Sequence, residues 1–110
     1  MVEKLGILVI TDKYFDHVVE LAKAAKKADK EVEVFLTAQG VLNIKNPRFK
    51  ELLENANVAL CEVGYKRYIG EGLDKLSKEE SPVEGLDYKD FATQGKNAEI
   101  LSEVDRYVVF

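Results

Sequence analysis

The residues able to do covalent chemistry fall in one short stretch. Val58-Ala59-Leu60-Cys61-Glu62-Val63-Gly64-Tyr65-Lys66-Arg67 is an apolar run that reaches the single cysteine of the chain, with a glycine and two cations close behind. A cysteine reacts as its thiolate, and an unperturbed thiol titrates near about 8.5. A helix starting just after the thiol would favour the anion through its unpaired N–H groups and its dipole. Lys66 and Arg67 would add to this if they fold back. Glu62 would oppose it, but alternation along a strand turns Glu62 to the other face. Packing is the competing reading, because cysteines outside disulfides often fill a core as small hydrophobes.

Other constellations are weaker. His17 is the only histidine, and one histidine with one distant cysteine does not make a metal site. A Cys61–His17 pair for nucleophilic catalysis would require the two to meet in the fold. Gly64 to Gly72 is glycine-rich but lacks the Gly-Lys-Ser/Thr ending of a phosphate loop, and no Gly-x-Gly-x-x-Gly follows the first strand. Neither a metal nor a cofactor is expected. Tyr65, Tyr68 and Ile69 suit either a pocket wall or a core.

The elements that must position the thiol read as alternating strands and helices. Lys4 to Ile10 is short and continuously apolar, as in a strand covered on both faces. Thr11-Asp12 then offers side chains suited to a helix N-cap. Tyr14 to Ala28 forms a helix with Phe15, Val18, Val19, Ala22 and Ala25 in one stripe. Its lysines alternate with acids, which predicts a solvated face. Val32 to Thr37 is a second strand, and Ala38-Gln39-Gly40 a loop. Val41 to Lys45 is ambiguous. Asn46 as cap and Pro47 at the first position open a helix to about Asn55.

Val58 to Val63 is the third strand, broken by Gly64. Tyr65, Tyr68, Ile69, Leu73 and Leu76 recur at helical spacing, with Gly70 and Gly72 inside that pattern. Ser77 to Pro82 is a polar loop, and Leu86 to Phe91 a short fourth strand. After the loop Ala92-Thr93-Gln94-Gly95, Asn97 to Glu103 is a helix. Asp105 to Phe110 is the last strand. This alternation predicts an α/β fold with a mainly parallel five-stranded sheet, helices on both faces and right-handed crossovers.

Ligands of open α/β sheets bind beyond the carboxyl ends of the strands. That rim collects Thr11-Asp12, Thr37 to Gly40, Cys61 to Lys66, and Thr93 to Gly95. Cys61 is therefore the candidate catalytic residue. Gly64, Tyr65, Lys66, Arg67, Thr11, Asp12, Gln39 and Gly40 are candidates for binding or for stabilising the thiolate.

Length and composition bound the function. A chain of 110 residues forms one domain, residues 1–110, able to bury about two-thirds of its unfolded surface. The net charge of -4 argues against a nucleic-acid binder that relies on phosphate neutralisation. No apolar run approaches the roughly 20 residues of a membrane span. The N-terminus reads straight into strand-like sequence without a secretory pattern, so a cytoplasmic location is the expectation, and a lone cysteine agrees with it.

The chain resembles the DsrE/DsrF-like family, and more closely its small single-domain YchN-type branch. Four features carry the resemblance: the first strand opening on a helix, Val34-Phe35-Leu36-Thr37-Ala38-Gln39-Gly40-Val41, the strand-end Val58-Ala59-Leu60-Cys61, and the closing Leu101 to Phe110. Tyr65 to Gly95 departs from the family pattern. The resemblance implies a three-layer α/β/α sandwich and assembly into homo-oligomers, trimers or hexamers. It also implies sulfur relay, in which Cys61 accepts a sulfane sulfur as a persulfide from a donor protein and passes it to an acceptor protein. Some relatives carry a second cysteine three residues later. Gly64 stands there, so exchange must be intermolecular. Two alternatives stand beside this reading: an oligomeric binding or assembly module without thiol chemistry, and a redox sensor using sulfenic acid chemistry. Tyr65, Tyr68, Tyr88, Tyr107 and Phe110 are of the type enriched at subunit contacts, although a core role is the alternative.

Overall fold

A computed structural model describes residues 3–69, 90–92 and 94–110. Among these residues five strands are all parallel: β1 (Lys4–Val9), β2 (Glu31–Leu36), β3 (Asn57–Cys61), β4 (Phe91–Ala92) and β5 (Arg106–Val109), in the order β4-β3-β2-β1-β5. The helices are α1 (Phe15–Lys27), α2 (Phe49–Asn55), α3 (Glu62–Tyr68) and α4 (Gln94–Glu103). A 3₁₀ segment, Ala38–Lys45, links β2 to α2. The glycine-interrupted pattern from Gly70 to Leu76, the Ser77 to Pro82 loop, the Leu86 to Lys89 part of the fourth strand, and Thr93 lie outside the described residues. Among the described residues no helix is long and apolar enough to cross a membrane.

The strand order dictates the layers. From β1 to β4 the chain advances in one direction, and its helices share one face of the sheet. β5 returns to the far side of β1, so a crossover of the same hand puts α4 on the opposite face. The first face buries the α1 stripe with Ile7, Val9, Val34 and Leu36, together with Phe49 and Leu52 of α2 and Tyr65 of α3. The second face packs Phe35, Ala59 and Cys61 beneath Ile100 of α4. Gly6 permits this approach, since a Cβ there would lie 3.0 Å from Val104 Cγ2.

Several boundaries differ from the sequence reading. Glu62 and Val63 belong to α3 and not to β3, so Glu62 is an exposed first-turn residue instead of a strand residue facing away from the thiol. Thr11 and Asp12 do not cap α1; its N-cap is Tyr14, without a side-chain hydrogen bond. Asn46 Oδ1 accepts from the Arg48 N–H at 2.9 Å, an Asx turn, and α2 begins at Phe49. The loop assigned to Gln94 and Gly95 is the start of α4.

The end of α1 is a Schellman motif. The Asp29 N–H donates to Lys26 O at 3.0 Å and the Lys30 N–H to Ala25 O at 2.9 Å, while Asp29 sits at φ 63°. Glycine suits that position best because a Cβ is strained there. Asp29→Gly is therefore expected to raise unfolding stability by about 0.5–1 kcal/mol, read as a higher urea midpoint with an unchanged slope.

The charged face of α1 is not simply solvated. Arg48 at the start of α2 donates from Nε to Glu51 at 2.7 Å and from its two terminal nitrogens to Asp16 and Glu20 of α1. Lys23 reaches Glu51 at 3.1 Å, and Lys26 Nζ donates to Glu54 O at 2.6 Å. The Arg48 hydrogen bond, reinforced by that from Lys23, holds the Glu51 carboxyl down at about 2, below its ordinary value of 4.5. A carboxylate held low in the folded state stabilises the fold fully above its unfolded pKa, and that contribution is lost as pH falls through the folded value. Stability should thus decline between pH 4.5 and about 2. An Arg48→Gln protein should differ most from the parent at neutral pH, with the gap closing across that window in urea titrations.

Candidate functional site

β3 delivers Cys61 to the carboxyl end of the sheet. Ala59 and Cys61, two residues apart, face the α4 side, whereas Val58 and Leu60 face α1 and α2. Cys61 keeps extended backbone angles, φ −74° and ψ 119°, and is the N-cap of α3. Its Sγ accepts a hydrogen bond from the Gly64 N–H at 3.4 Å. A capping serine or threonine reaches the same position, the third residue of the helix. The thiol therefore occupies one of the unpaired donors of the first helical turn.

Gly64 is set by packing. A Cβ there would lie 3.2 Å from the Ala38 backbone nitrogen and 3.2 Å from Val41 Cγ2. Its bare backbone brings α3 against the 3₁₀ segment. Ala38 has φ 51°, a left-handed conformation that costs a residue with a Cβ about 1 kcal/mol or more. A non-glycine residue held in this way marks a turn that the surrounding contacts over-determine, and here it lies beside the thiol.

A cavity of ≈ 290 Å³ opens at this place. Thr37 and Ala38, from the end of β2, form one side. Cys61, Val63, Gly64, Arg67 and Tyr68 form the other, and the described walls are mostly apolar. Cys61 is 4% exposed, so it lies in the wall of the cavity and not on the outer surface. Val63, by contrast, is 69% exposed at the lip. The Arg67 guanidinium lies 5.8 Å from the centre of the Tyr68 ring, within cation–π range. Neither Lys66 nor Arg67 makes an ion pair among the described residues.

Of the candidate catalytic and binding residues chosen in the sequence, the cavity draws together Cys61, Gly64 and Arg67. The others stand elsewhere. Tyr65 turns to the α1 side of the sheet, 3% exposed, with its ring edge-on to Phe91 at 5.4 Å. Lys66 is exposed on α3, outside the described lining. Asp12 is exposed in the bend after β1 and Gln39 in the 3₁₀ segment, also outside it. Gly40 is buried under β1, and the Thr11 carbonyl accepts from Asn43 Nδ2 at 3.0 Å, a contact that ties the β1 loop to the 3₁₀ segment. His17 lies exposed on α1, 6.3 Å from the Tyr14 ring and on the opposite face of the sheet from Cys61, so the two do not form a catalytic pair. Among the described residues no three His, Cys, Asp or Glu side chains group as ligands for a metal ion.

No family model, curated protein or solved structure matches this chain. The site is therefore read from its own geometry. Thr37, Ala38, Val63 and Tyr68 were not among the site residues chosen from sequence. Thr37 and Ala38 carried a usable signal, since they end a strand on the same rim. Val63 carries the same rim signal, within Cys61 to Lys66, and Tyr68 is among the residues that suit either a pocket wall or a core in the sequence reading.

A second cavity, ≈ 340 Å³, lies at the opposite, amino end of the strands between Lys26, Lys30, Glu54 and Asn57. Its lysines are already engaged, Lys26 with Glu54 O and Lys30 with the Glu3 carboxylate.

Proposed function

We propose that this protein is a sulfur-relay carrier of the cytoplasm, in which Cys61 accepts a sulfane sulfur as a persulfide and passes it to the thiol of an acceptor protein. The observation that carries this reading is the thiol's position: at the carboxyl end of a strand, capping a helix, in the wall of a cavity. A persulfide is a better acid than a thiol and is carried as an anion. The Gly64 N–H and the nearby Arg67 suit an anion at this place. The chain has no second cysteine, so a disulfide within it cannot drain the persulfide. Sulfur then leaves only by attack of an external thiolate. The resemblance to the DsrE/DsrF-like family points the same way and adds a homo-oligomer, trimeric or hexameric, with donor and acceptor proteins as partners.

Intact-mass measurement tests the reading. The protein is incubated separately with a persulfide-charged cysteine desulfurase and with a small persulfide. A mass gain of one sulfur atom, mapped to Cys61 and transferable to an added thiol, is the expected result. A protein that gains no sulfur from either source is not a carrier.

The burial of Cys61 favours a second reading. With Phe35, Ala59 and Ile100 around it, the cysteine also serves as packing and as a helix cap. On that reading the protein is a binding or assembly module, and Cys61→Ser leaves its partner binding intact.

A further inference from the structure

We propose that the open edge of the sheet at β5 is an interface with a second copy of this chain, in which the two β5 strands pair antiparallel about a two-fold axis at Val108. The inference does not depend on what Cys61 does.

β5 ends the described sheet, beside β1. α1 and α4 lie on opposite faces, yet both pack over β1 and β2. β5 is therefore bare on its faces as well as along its edge. Tyr107 packs toward α4 and Phe110 toward α1, so by alternation Val109 shares the first face and Val108 the second. Val108 is 36% exposed and Val109 53%. Parallel sheets are normally covered on both faces, and an apolar edge strand is a template for another strand. β5 runs in unbroken register with β1 and holds no proline that would blunt the edge. The opposite edge, β4, is two residues long and its Phe91 is buried.

The backbone sets the register. Phe110 turns both its groups to β1: its N–H donates to Leu8 O at 2.8 Å, and its carbonyl accepts from the Ile10 N–H at 2.8 Å. Direction alternates along the strand, so Val108 also faces β1, and the N–H and C=O of Tyr107 and Val109 point outward. A two-fold axis at Val108 brings Tyr107 of each copy opposite Val109 of the other. Every outward group of both strands is then satisfied, in four hydrogen bonds. Tyr107 beside Val109 is an aromatic–β-branched pair, and Val108 meets its own copy at the closer, non-hydrogen-bonded position. An axis at Tyr107 would instead set Val109 against Asp105.

Charge favours the same occupant. Arg106 and Glu103 are exposed at the amino end of β5, and Asp12 and Lys13 beside its carboxyl end. None of the four makes an ion pair among the described residues. Antiparallel pairing lays the amino end of each copy along the carboxyl end of the other, Arg106 toward Asp12 and Glu103 toward Lys13, and keeps the two arginines apart. A closed trimer has no two-fold axis, so an assembly with this contact has an even number of chains.

Sedimentation velocity of the full chain over a range of concentrations tests the inference, and an even-numbered oligomer is the expected result. Val109→Pro removes an outward N–H and leaves the β1 ladder intact. It should raise the dissociation constant by at least about tenfold, because two hydrogen bonds are lost across the axis, while the circular dichroism stays that of the parent. In a Cys61→Ser background, Val108→Cys should oxidise to a disulfide-linked dimer, since residues paired at that position have Cα atoms about 4.5 Å apart. Arg106→Cys should not link, because its two copies stand about 13 Å apart along the strands. A parent that sediments as a monomer or a trimer at every concentration overturns the inference. So does a Val109→Pro protein that folds as the parent and assembles as tightly, or Arg106→Cys linking as readily as Val108→Cys. The disulfide comparison decides the matter where Val109→Pro does not fold, and each of these outcomes leaves the sulfur-loading test untouched.

Discussion

Cys61→Ser is expected to abolish sulfur loading completely while changing the stability of the fold by no more than about 1 kcal/mol. The first half follows from composition, because the chain has no other thiol. The second follows from the cap. Serine oxygen can accept the Gly64 N–H that Sγ now accepts at 3.4 Å, and serine is a favoured N-cap residue. Against this stands the loss of an apolar sulfur from the cluster of Phe35, Ala59 and Ile100, and the cost of burying a hydroxyl. The two effects oppose each other, so the net change is small. Cys61→Ala provides the contrast. It keeps the apolar contact but leaves the Gly64 N–H unpaired, and should cost about 1 kcal/mol. Intact mass after persulfide treatment and urea midpoints of all three proteins check the scheme. A sulfur adduct that survives in Cys61→Ser would show that loading does not occur at this thiol. A serine variant less stable than the alanine variant would show that the cap contributes little.

Gly40→Ala is expected to destabilise the protein by about 3 kcal/mol and to disturb the thiol cavity from a distance. A Cβ on Gly40 would lie 2.0 Å from Val9 O and 2.6 Å from Val9 C, both backbone atoms at the end of β1. Neither is the tip of a flexible side chain, so relief requires the 3₁₀ segment to lift from β1. That movement strains the Thr37 N–H bond to Val9 O, 3.0 Å, and the Asn43 Nδ2 bonds to Gly40 O and Thr11 O. It also carries Ala38 and Val41 away from Gly64 of α3. Overpacking a well-filled interior typically costs about 1–3 kcal/mol, and a clash with fixed backbone belongs at the upper end. The measurements are the urea midpoint and the sulfur-loading rate. A midpoint equal to that of the parent would refute the close packing of this segment on β1.

The parts of the fold that were legible in sequence are those with a clear period. β1, α1 and β2 match their expected ranges to within a residue or so, because apolar runs and a helical stripe are bounded there by charged turns. The carboxyl end of β3 differs from its sequence expectation for a physical reason. Glu62-Val63 continues a strand-like pattern, and cysteine is not among the preferred N-cap residues, so nothing local announces that a helix starts after Cys61. Val41 to Lys45 fits neither a period of 3.6 nor one of 2 and is ambiguous in sequence for that reason, and Ala38-Gln39-Gly40, which reads as a loop, is the first turn of the same 3₁₀ segment. The face of Tyr65 depends on the phase of α3, which follows from that unseen start. The cavity itself depends on β2 lying beside β3, a matter of strand order that no local pattern encodes.

The unequal thickness of the two helical layers bears on kinetics. On one face α1 and α2 bury a long apolar stripe and are clamped by Arg48. On the other, described contacts to α4 run through Ile100, Val104 and Tyr107. Amide protons of α4 should therefore exchange at lower opening free energy than those of α1. Cys61 lies on that thinner side, 4% exposed. Reagents too large for the cavity must wait for the layer to open. Their apparent reactivity with Cys61 then reports an opening equilibrium, whereas small donors report the chemistry of the sulfur itself.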